Sequence, residues 1–179
     1  MGNKGSVLVV DDQSLNVKLL DSILSRLGFD VLKAYAGEEA LSIAHDNIPD
    51  IILLDIMMPG MDGLQTCQML KADPATSGIP VIFISALTDI SDKVNAFTYG
   101  GVDYITKPFQ KEEIVARVES HLRIYRLQKS LDEKNTHLQQ TQNELTILNQ
   151  LLAEYNDKLE DMVRARTQEL DNTNKQLTA

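Results

Sequence analysis

The sequence IILLDIMMPGMDG, residues 51–63, joins a wholly apolar run to an acidic residue and then to a turn. The apolar residues 51–54 do not alternate with polar ones, which is typical of a strand that helices cover on both faces of a parallel sheet. Asp55 follows the run directly, and Pro59 and Gly60 then mark a turn. We therefore expect Asp55 at the carboxyl end of a buried strand.

Short apolar runs of this kind alternate with longer amphipathic segments through the first 108 residues. The pattern predicts strands at residues 7–10, 31–34, 51–54, 81–84 and 104–105, and helices at residues 15–27, 38–45, 64–71 and 90–97. Strands that alternate with helices indicate an α/β fold with an open, doubly wound, five-stranded parallel sheet. In such folds the functional site lies beyond the carboxyl ends of the strands.

Polar residues stand at four of these predicted strand ends: Asp11 and Asp12, Asp55, Ser85, and Lys107. Carboxylates that lie close together repel one another unless a cation lies among them, and an all-oxygen cluster favours Mg²⁺ or Mn²⁺ over Zn²⁺. A hydroxyl and an ammonium group opposite the carboxylates indicate a bound phosphoryl group. Taken singly, each residue has a plainer explanation: Asp12 as a helix cap, Ser85 as a turn residue and Lys107 as a solvated charge.

Four segments, VLVVDD (7–12), LLDIMMPGMDG (53–63), IFISA (82–86) and DYITKPF (103–109), resemble in order and spacing the receiver domain of two-component response regulators. The resemblance covers residues 5–121 and implies a flavodoxin-like sheet of order 2-1-3-4-5. It assigns the phosphoacceptor role to Asp55. It also assigns Mg²⁺ coordination to Asp12, Asp55 and the backbone carbonyl of Met57, with Asp11 helping through water. Finally, it assigns phosphoryl contacts to Ser85 and Lys107, and a cis peptide bond to Lys107 and Pro108.

The resemblance further implies that a histidine kinase or a phosphotransfer protein donates the phosphoryl group to Asp55. Phosphorylation is then expected to draw Ser85 towards Asp55 and to rotate Tyr104, which shifts the surface of the fourth helix, fifth strand and fifth helix. Tyr104 also has a plainer explanation as a core or rim aromatic. Beyond self-phosphorylation and autodephosphorylation, no enzyme activity is expected of this chain itself. Whether a C-terminal domain outside this chain is an enzyme stays open.

The chain after residue 108 contains neither Gly nor Pro. An apolar residue recurs there every seven positions, which predicts that residues 122–179 form a homodimeric coiled coil: Ile124, Leu131, Leu138, Leu145, Leu152 and Leu159. The register is open. If the leucines occupy position a, position d holds Leu127, Lys134, Thr141, Leu148, Tyr155 and Met162. If they occupy d, position a holds Gln128, Asn135, Gln142, Asn149 and Asn156.

The segment LEDMVRARTQELDNTNKQL, residues 159–177, resembles the helical connectors that precede output domains in histidine kinases, nucleotide cyclases and cyclic-dinucleotide enzymes. We therefore expect a C-terminal effector that this chain does not contain. Two alternatives stay open. The chain is the regulatory N-terminal fragment of a hybrid histidine kinase or of a nucleotide or cyclic-dinucleotide enzyme, or it is a structural dimerisation module with an idle receiver.

Charge and composition limit the partners and the location. The 179-residue chain has a formal net charge of −9, divided as −7 up to residue 108 and −2 after it, and neither half has the basic stripe that nucleic acid requires. The single cysteine, Cys67, indicates a reducing cytoplasm, and no apolar run reaches the length of a membrane span. The three histidines, His45, His121 and His137, are interpreted as surface residues.

Overall fold

The computed structural model describes residues 4–86 and 98–177, so the helix predicted at residues 90–97 lies outside the described residues. The strands are β1 (Ser6–Val10), β2 (Asp30–Ala34), β3 (Ile51–Asp55), β4 (Val81–Ser85) and β5 (Asp103–Thr106). The helices are numbered in the order in which they are described: α1 (Ser14–Arg26), α2 (Gly37–Asn47), α3 (Gly63–Ala72) and α4 (Lys111–Leu177).

The sheet has the strand order β2-β1-β3-β4-β5, and every neighbouring pair of strands is parallel. This confirms the predicted doubly wound sheet and its order. β3 and β4 each extend one residue past the predicted apolar run, so Asp55 and Ser85 are the last residues of their strands. Asp55 lies opposite Ile84, and Ser85 lies opposite Thr106. The sheet ladder itself therefore holds these two polar residues in place.

Two apolar layers cover the sheet. On one face, side chains of the central strands such as Leu8, Ile52 and Phe83 pack with residues of α2 and α3. On the other face, Val9 and Leu53 pack with residues of α1 and α4. Successive side chains of a strand point to opposite faces, and both faces of this sheet are covered. The unbroken apolar runs of the sequence are explained by this double burial.

The chain divides into two compact units, Met1–Gln128 and Lys129–Ala179, and α4 contributes to both. Within the first unit, α4 buries Ile114, Val118 and Leu122, which share one helix face because they are four residues apart. Within the second unit, the predicted long helix is present and its heptad leucines are exposed. Among the described residues, no helix is both long enough and apolar enough to cross a membrane.

Candidate functional site

Three carboxylates meet at the carboxyl edge of the sheet. Asp11 and Asp12 follow β1 directly and Asp55 ends β3, and these strands are neighbours in the sheet. One carboxylate oxygen from each of the three residues lies within 4.8 Å of the others. Asp11 and Asp55 are buried, whereas Asp12 is exposed. The sequence-predicted acidic residues are therefore brought together, with one of them open to solvent.

Lys107 places its ammonium group between the two buried carboxylates. Its Nζ atom lies 2.7 Å from Oδ2 of Asp55 and 2.8 Å from Oδ2 of Asp11. The Lys107 backbone N–H donates to the Ser85 carbonyl at 2.8 Å, which aligns the chain after β5 with the end of β4. The peptide bond between Lys107 and Pro108 is cis. One cation thus serves two buried anions, so the buried cluster carries an excess negative charge.

Hydrogen bonds from the start of α1 hold the Asp11 carboxylate. Its Oδ1 atom accepts from the Gln13 backbone N–H at 2.9 Å, and Asn16 Nδ2 donates to Oδ1 at 3.0 Å and to Oδ2 at 2.9 Å. The N-cap of α1 is Gln13, which makes no side-chain cap hydrogen bond. Asp12, whose plainer interpretation was a helix cap, therefore does not occupy the cap position. Asn16 was missed by the sequence interpretation, although its place one turn into the helix after Asp11 was a usable signal.

Burial and the oppositely charged partner act in opposite directions on the pKa values of Asp55 and Lys107. Burial raises the pKa of Asp55, and the neighbouring Asp11 charge adds to this, while Lys107 and the Met57 backbone N–H oppose it. Burial alone lowers the pKa of Lys107, but the hydrogen bonds to Asp11 and Asp55 outweigh it and raise that pKa. A Lys whose pKa is raised stays protonated at neutral pH, so Lys107 carries its positive charge between the two carboxylates.

The loop between β3 and α3 packs closely against Asp55. The Met57 N–H donates to Asp55 Oδ1 at 3.4 Å, and the Met57 side chain is exposed. α3 begins against the end of β3, where the Gly63 N–H donates to the Ile56 carbonyl at 3.0 Å. A Cβ atom at Gly63 would collide with the Asp55 carbonyl oxygen. The Asp62 side chain caps α3 by accepting from the Gln65 N–H at 2.8 Å. Gly63 is therefore the residue that permits this close approach.

The two predicted switch residues lie on the adjoining strands. Ser85 is buried at the end of β4, and Tyr104 is half-buried in β5. Phe83 lies opposite Tyr104 in the β4–β5 pair. The Arg117 guanidinium lies over the Tyr104 ring, 5.7 Å from its centroid. Ser85 is therefore at the site edge, and Tyr104 is at the contact between β5 and α4.

The donor set fits a hard divalent cation. All three grouped residues offer carboxylate oxygens, two of them from buried positions and one from the solvent-facing side. Mg²⁺ prefers oxygen ligands and is usually held by one or two protein carboxylates with water molecules retained. A group with an exposed member such as Asp12 leaves room for those water molecules. The carboxylate oxygens and the access to solvent therefore both suit Mg²⁺, unlike a closed cage made only of protein ligands.

One interpretation of the histidines was wrong. His45 and His137 are exposed, as predicted, but His121 is half-buried in α4 with its Nε2 atom 2.9 Å from Oδ2 of Asp103. Arg117 Nη1 donates to both carboxylate oxygens of Asp103, at 2.6 and 2.7 Å. Burial alone raises the pKa of Asp103, but the hydrogen bonds from His121 and Arg117 outweigh it and lower that pKa. The spacing of Arg117 and His121 by four residues was the signal available in the sequence.

The doubly wound sheet with this acidic, Ser and Lys edge defines a receiver domain. A family model described as response regulator receiver domain matches residues 7–119, and the chain belongs to that family.

Two curated relatives and one solved structure show which proteins the chain resembles. It is 42% identical over 120 residues to "Probable transcriptional regulator ycf27" of Guillardia theta, covering 67% of this chain and 46% of that protein. It is 46% identical over 114 residues to the response regulator PleD of Caulobacter vibrioides, covering 64% of this chain and 25% of that protein. The solved receiver domain of a modulated diguanylate cyclase from Desulfovibrio desulfuricans G20 is 33% identical with a TM-score of 0.62, covering 69% of this chain and 98% of that chain. The chain thus spans about half or less of the full length of these two curated relatives.

Proposed function

We propose that Asp55 accepts a phosphoryl group from a phosphohistidine of a histidine kinase or phosphotransfer protein. The observation that carries this proposal is the position of the Asp55 carboxylate, which is buried at the sheet edge, bound to Lys107 at 2.7 Å and grouped with two further carboxylates. Membership of the receiver family supports it independently. A carboxylate held in place by an ammonium group beside an open acidic group is suited to attack an incoming phosphorus atom.

The transfer needs no base from this chain. An Asp55 carboxylate oxygen forms a new bond to phosphorus while the bond between phosphorus and the donor imidazole nitrogen breaks, and the imidazole takes up a proton as it leaves. The product is an acyl phosphate on Asp55. The Lys107 ammonium, which already contacts Asp55, then pairs with a phosphoryl oxygen. Lys107 therefore stabilises the charge that the transfer brings into the site.

We further propose that Asp11, Asp12, Asp55 and the Met57 backbone carbonyl hold Mg²⁺, with Mn²⁺ as a possible substitute. When bound, the cation neutralises charge on the phosphoryl oxygens. Gln13 and Asn16 orient Asp11 towards the site through three hydrogen bonds. The Ser85 hydroxyl is proposed to donate a hydrogen bond to a phosphoryl oxygen. Tyr104 is proposed to change its packing as Ser85 moves. The support is their adjacent placement on β4 and β5.

For transmission, we propose that residues 5–121 act as the receiver and that residues 122–179 pair with a second copy as a parallel coiled coil. The register with leucines at position a is favoured because its d positions include Leu148, Tyr155 and Met162, all exposed on the isolated helix. From Gln128 to Asn156, the other register places only polar residues at a. Apolar residues at both seam positions bury more surface in the dimer, so the first register is the more stable one.

The effector is proposed to lie in a longer protein, since the curated relatives extend well beyond the matched region. A regulatory fragment of a cyclic-dinucleotide enzyme is the second candidate, and the similarity to the receiver of a diguanylate cyclase favours it. We propose a cytoplasmic location because the donor phosphohistidine and reduced Cys67 both belong there. Sequencing the gene beyond residue 179 distinguishes an enzymatic effector from a DNA-binding one.

The phosphoacceptor proposal is tested with acetyl phosphate and Mg²⁺. Intact-protein mass spectrometry should show one added phosphoryl group on the wild type and none on Asp55→Asn. Asp46→Asn, which removes an exposed carboxylate of α2, is the matched control and should be modified like the wild type. Equal modification of wild type and Asp55→Asn would reject Asp55 as the acceptor. An unmodified wild type, with beryllofluoride failing to bind as well, would favour the idle receiver.

A further inference from the structure

Lys4 and Gly5, the described residues before β1, are tied firmly to the amino end of the sheet. The Lys4 N–H donates to the Gly28 carbonyl at 3.0 Å, and the Gly5 carbonyl accepts from the Asp30 N–H at 2.9 Å. The next residue, Ser6, donates its N–H to Oδ2 of Asp50 at 2.8 Å. These bonds join the segment to Gly28 and Asp30 at the start of β2 and to Asp50 just before β3. Lys4 and Gly5 are therefore a fixed part of the first unit.

The same segment holds two turns of α4. Lys4 Nζ lies 2.9 Å from Oε1 of Glu119, and Arg126 Nη2 donates to the Lys4 carbonyl. Glu119 and Arg126 are seven residues apart, so they lie on the same face of the helix. Lys4 Nζ also lies over the Phe29 ring at 5.7 Å. We call the group of Lys4, Gly5, Glu119 and Arg126 the basal clamp.

Gly5 is required for the Arg126 contact. Its φ is +121°, which lies in the region that L side chains rarely adopt. A Cβ atom there would lie 2.5 Å from Arg126 Nη2 and 2.6 Å from Asp50 Oδ2. Both neighbours are charged groups that occupy the space a methyl group would need. Replacement by Ala therefore displaces the Arg126 guanidinium as well as straining the backbone.

The clamp lies where the apolar packing of α4 ends. Ile114, Val118 and Leu122 are buried, and beyond Leu122 no described side chain of α4 is buried. The exposed Lys4–Glu119 pair is of the kind that contributes little by itself. The Arg126 hydrogen bond to a backbone carbonyl is charge-assisted and so is the stronger tie. Arg126 is thus the last residue of the helix that the first unit holds by a described hydrogen bond.

We propose that the basal clamp holds in place the end of the α4 segment that belongs to the first unit. Because this end cannot fray, phosphorylation at Asp55 changes the position of the helix beyond the clamp. The transmission part of this inference rests on the proposed function. The positioning part does not, because it concerns only contacts within Met1–Gln128. Arg126 and Gly5 act as positioning residues, distant in the fold from the acidic cluster.

Hydrogen exchange measured by mass spectrometry on the full chain tests the positioning part. In Arg126→Ala and in Gly5→Ala, amides of residues 119–128 should exchange about tenfold faster than in the wild type, while amides of β3 should not change. Arg123→Ala is the matched control, because Arg123 is exposed and has no described hydrogen bond or ion pair. Arg126→Ala keeps the test decisive if Gly5→Ala does not fold. Exchange in Arg126→Ala equal to that in Arg123→Ala would overturn the inference.

The transmission part has a separate measurement. Spin labels at residue 138 in paired chains should show a distance change when beryllofluoride binds, and Arg126→Ala should reduce that change by at least half without altering the affinity for beryllofluoride. A merely structural role would leave the distance response intact. If the wild type binds beryllofluoride but shows no distance change, the proposed coil transmission fails, while faster exchange in Arg126→Ala still upholds the clamp. If Arg126→Ala keeps the full response, the clamp has no part in transmission.

Discussion

Lys107 and Asp55 form an ion pair of 2.7 Å between residues 52 positions apart, and the same ammonium group also binds Asp11 at 2.8 Å. Two buried carboxylates therefore share one cation. The site is short of positive charge before any phosphoryl group arrives, and this shortage has measurable consequences for stability, for metal binding and for pH dependence.

Asp55→Asn should stabilise the protein at neutral pH, because it removes one of two carboxylates that compete for Lys107. We expect the free energy of unfolding to rise by about 1 kcal/mol, the usual size of a charge-optimising change. The pKa of folded Asp55 is raised above its ordinary value of 3.8. In the pH window between 3.8 and the raised pKa, the folded state therefore binds more protons than the unfolded state. Wild-type stability should therefore fall as pH rises through the window, and the Asn variant should lack this fall. Urea titrations across acid and neutral pH test both points, and a less stable Asn variant contradicts the charge argument.

Lys107→Met should have the opposite effect. Removing the shared cation leaves Asp11 and Asp55 buried without a charged partner, which costs about 3 kcal/mol. The pKa of folded Lys107 is raised above 10.5, so the stabilisation is present at neutral pH and is lost only as alkaline pH passes the folded pKa. Added Mg²⁺ should restore part of the loss by binding the two carboxylates that have lost their ammonium partner. Denaturant titrations with and without Mg²⁺ measure both effects. A Met variant as stable as the wild type would show that the ion pairs contribute nothing.

Asp12→Ala should separate metal binding from folding. Asp12 is exposed and has no described hydrogen bond or ion pair, so the metal-free protein should change by less than about 0.5 kcal/mol. Wild type at Mg²⁺ a hundredfold above its Kd should gain about 2.7 kcal/mol, and Asp12→Ala should lose most of that gain. Asp46→Ala, which removes an exposed carboxylate away from the site, should keep it. Full Mg²⁺ stabilisation of Asp12→Ala would remove Asp12 from the ligand set.

Gly63→Ala should destabilise the protein and disturb Asp55 together. The added Cβ atom collides with the Asp55 carbonyl oxygen, and overpacking of this kind costs about 1–3 kcal/mol. Gly78→Ala is the matched control, because a Cβ atom there has no atom within 4 Å. The free energy of unfolding from denaturant titration and the affinity for beryllofluoride should both fall in the first variant, and neither should fall in the second. Unchanged beryllofluoride affinity in a destabilised Gly63→Ala would show that the loop does not position Asp55.

Lys134→Leu should tighten the proposed dimer. With leucines at position a, Lys134 occupies a d position in the seam, and replacing it with Leu should lower the dimer Kd by roughly tenfold, or about 1.4 kcal/mol. With leucines at d, Lys134 lies outside the seam and Asn135→Leu is the change that tightens the dimer. Sedimentation equilibrium on the two variants decides between the registers. A monomeric wild type at all concentrations would refute the dimer itself.

Several site residues were predictable from local sequence because each follows a strong local signal. An unbroken apolar run ending in a polar residue marked Asp11, Asp12, Asp55 and Ser85, and β5 led to Lys107. Runs of this kind report double burial, and double burial requires helices on both faces of a parallel sheet. The edge that carries the site and the long breaker-free helix therefore followed from the order of residues along the chain, whereas the sheet order followed from the resemblance to the receiver family.

The tertiary structure decided which side chains meet. The sequence did not reveal that Asn16 holds Asp11, that Asp103 draws in Arg117 and His121, or that Arg126 reaches the Lys4 carbonyl across 122 residues. It also left open that Asp12 would be the exposed member of the acidic group while Asp11 is buried. Burial patterns and helix periods are properties of neighbouring residues, so they can be read along the chain. The partner of a charged side chain depends on which elements pack together and how closely, and that is settled only when the whole chain folds.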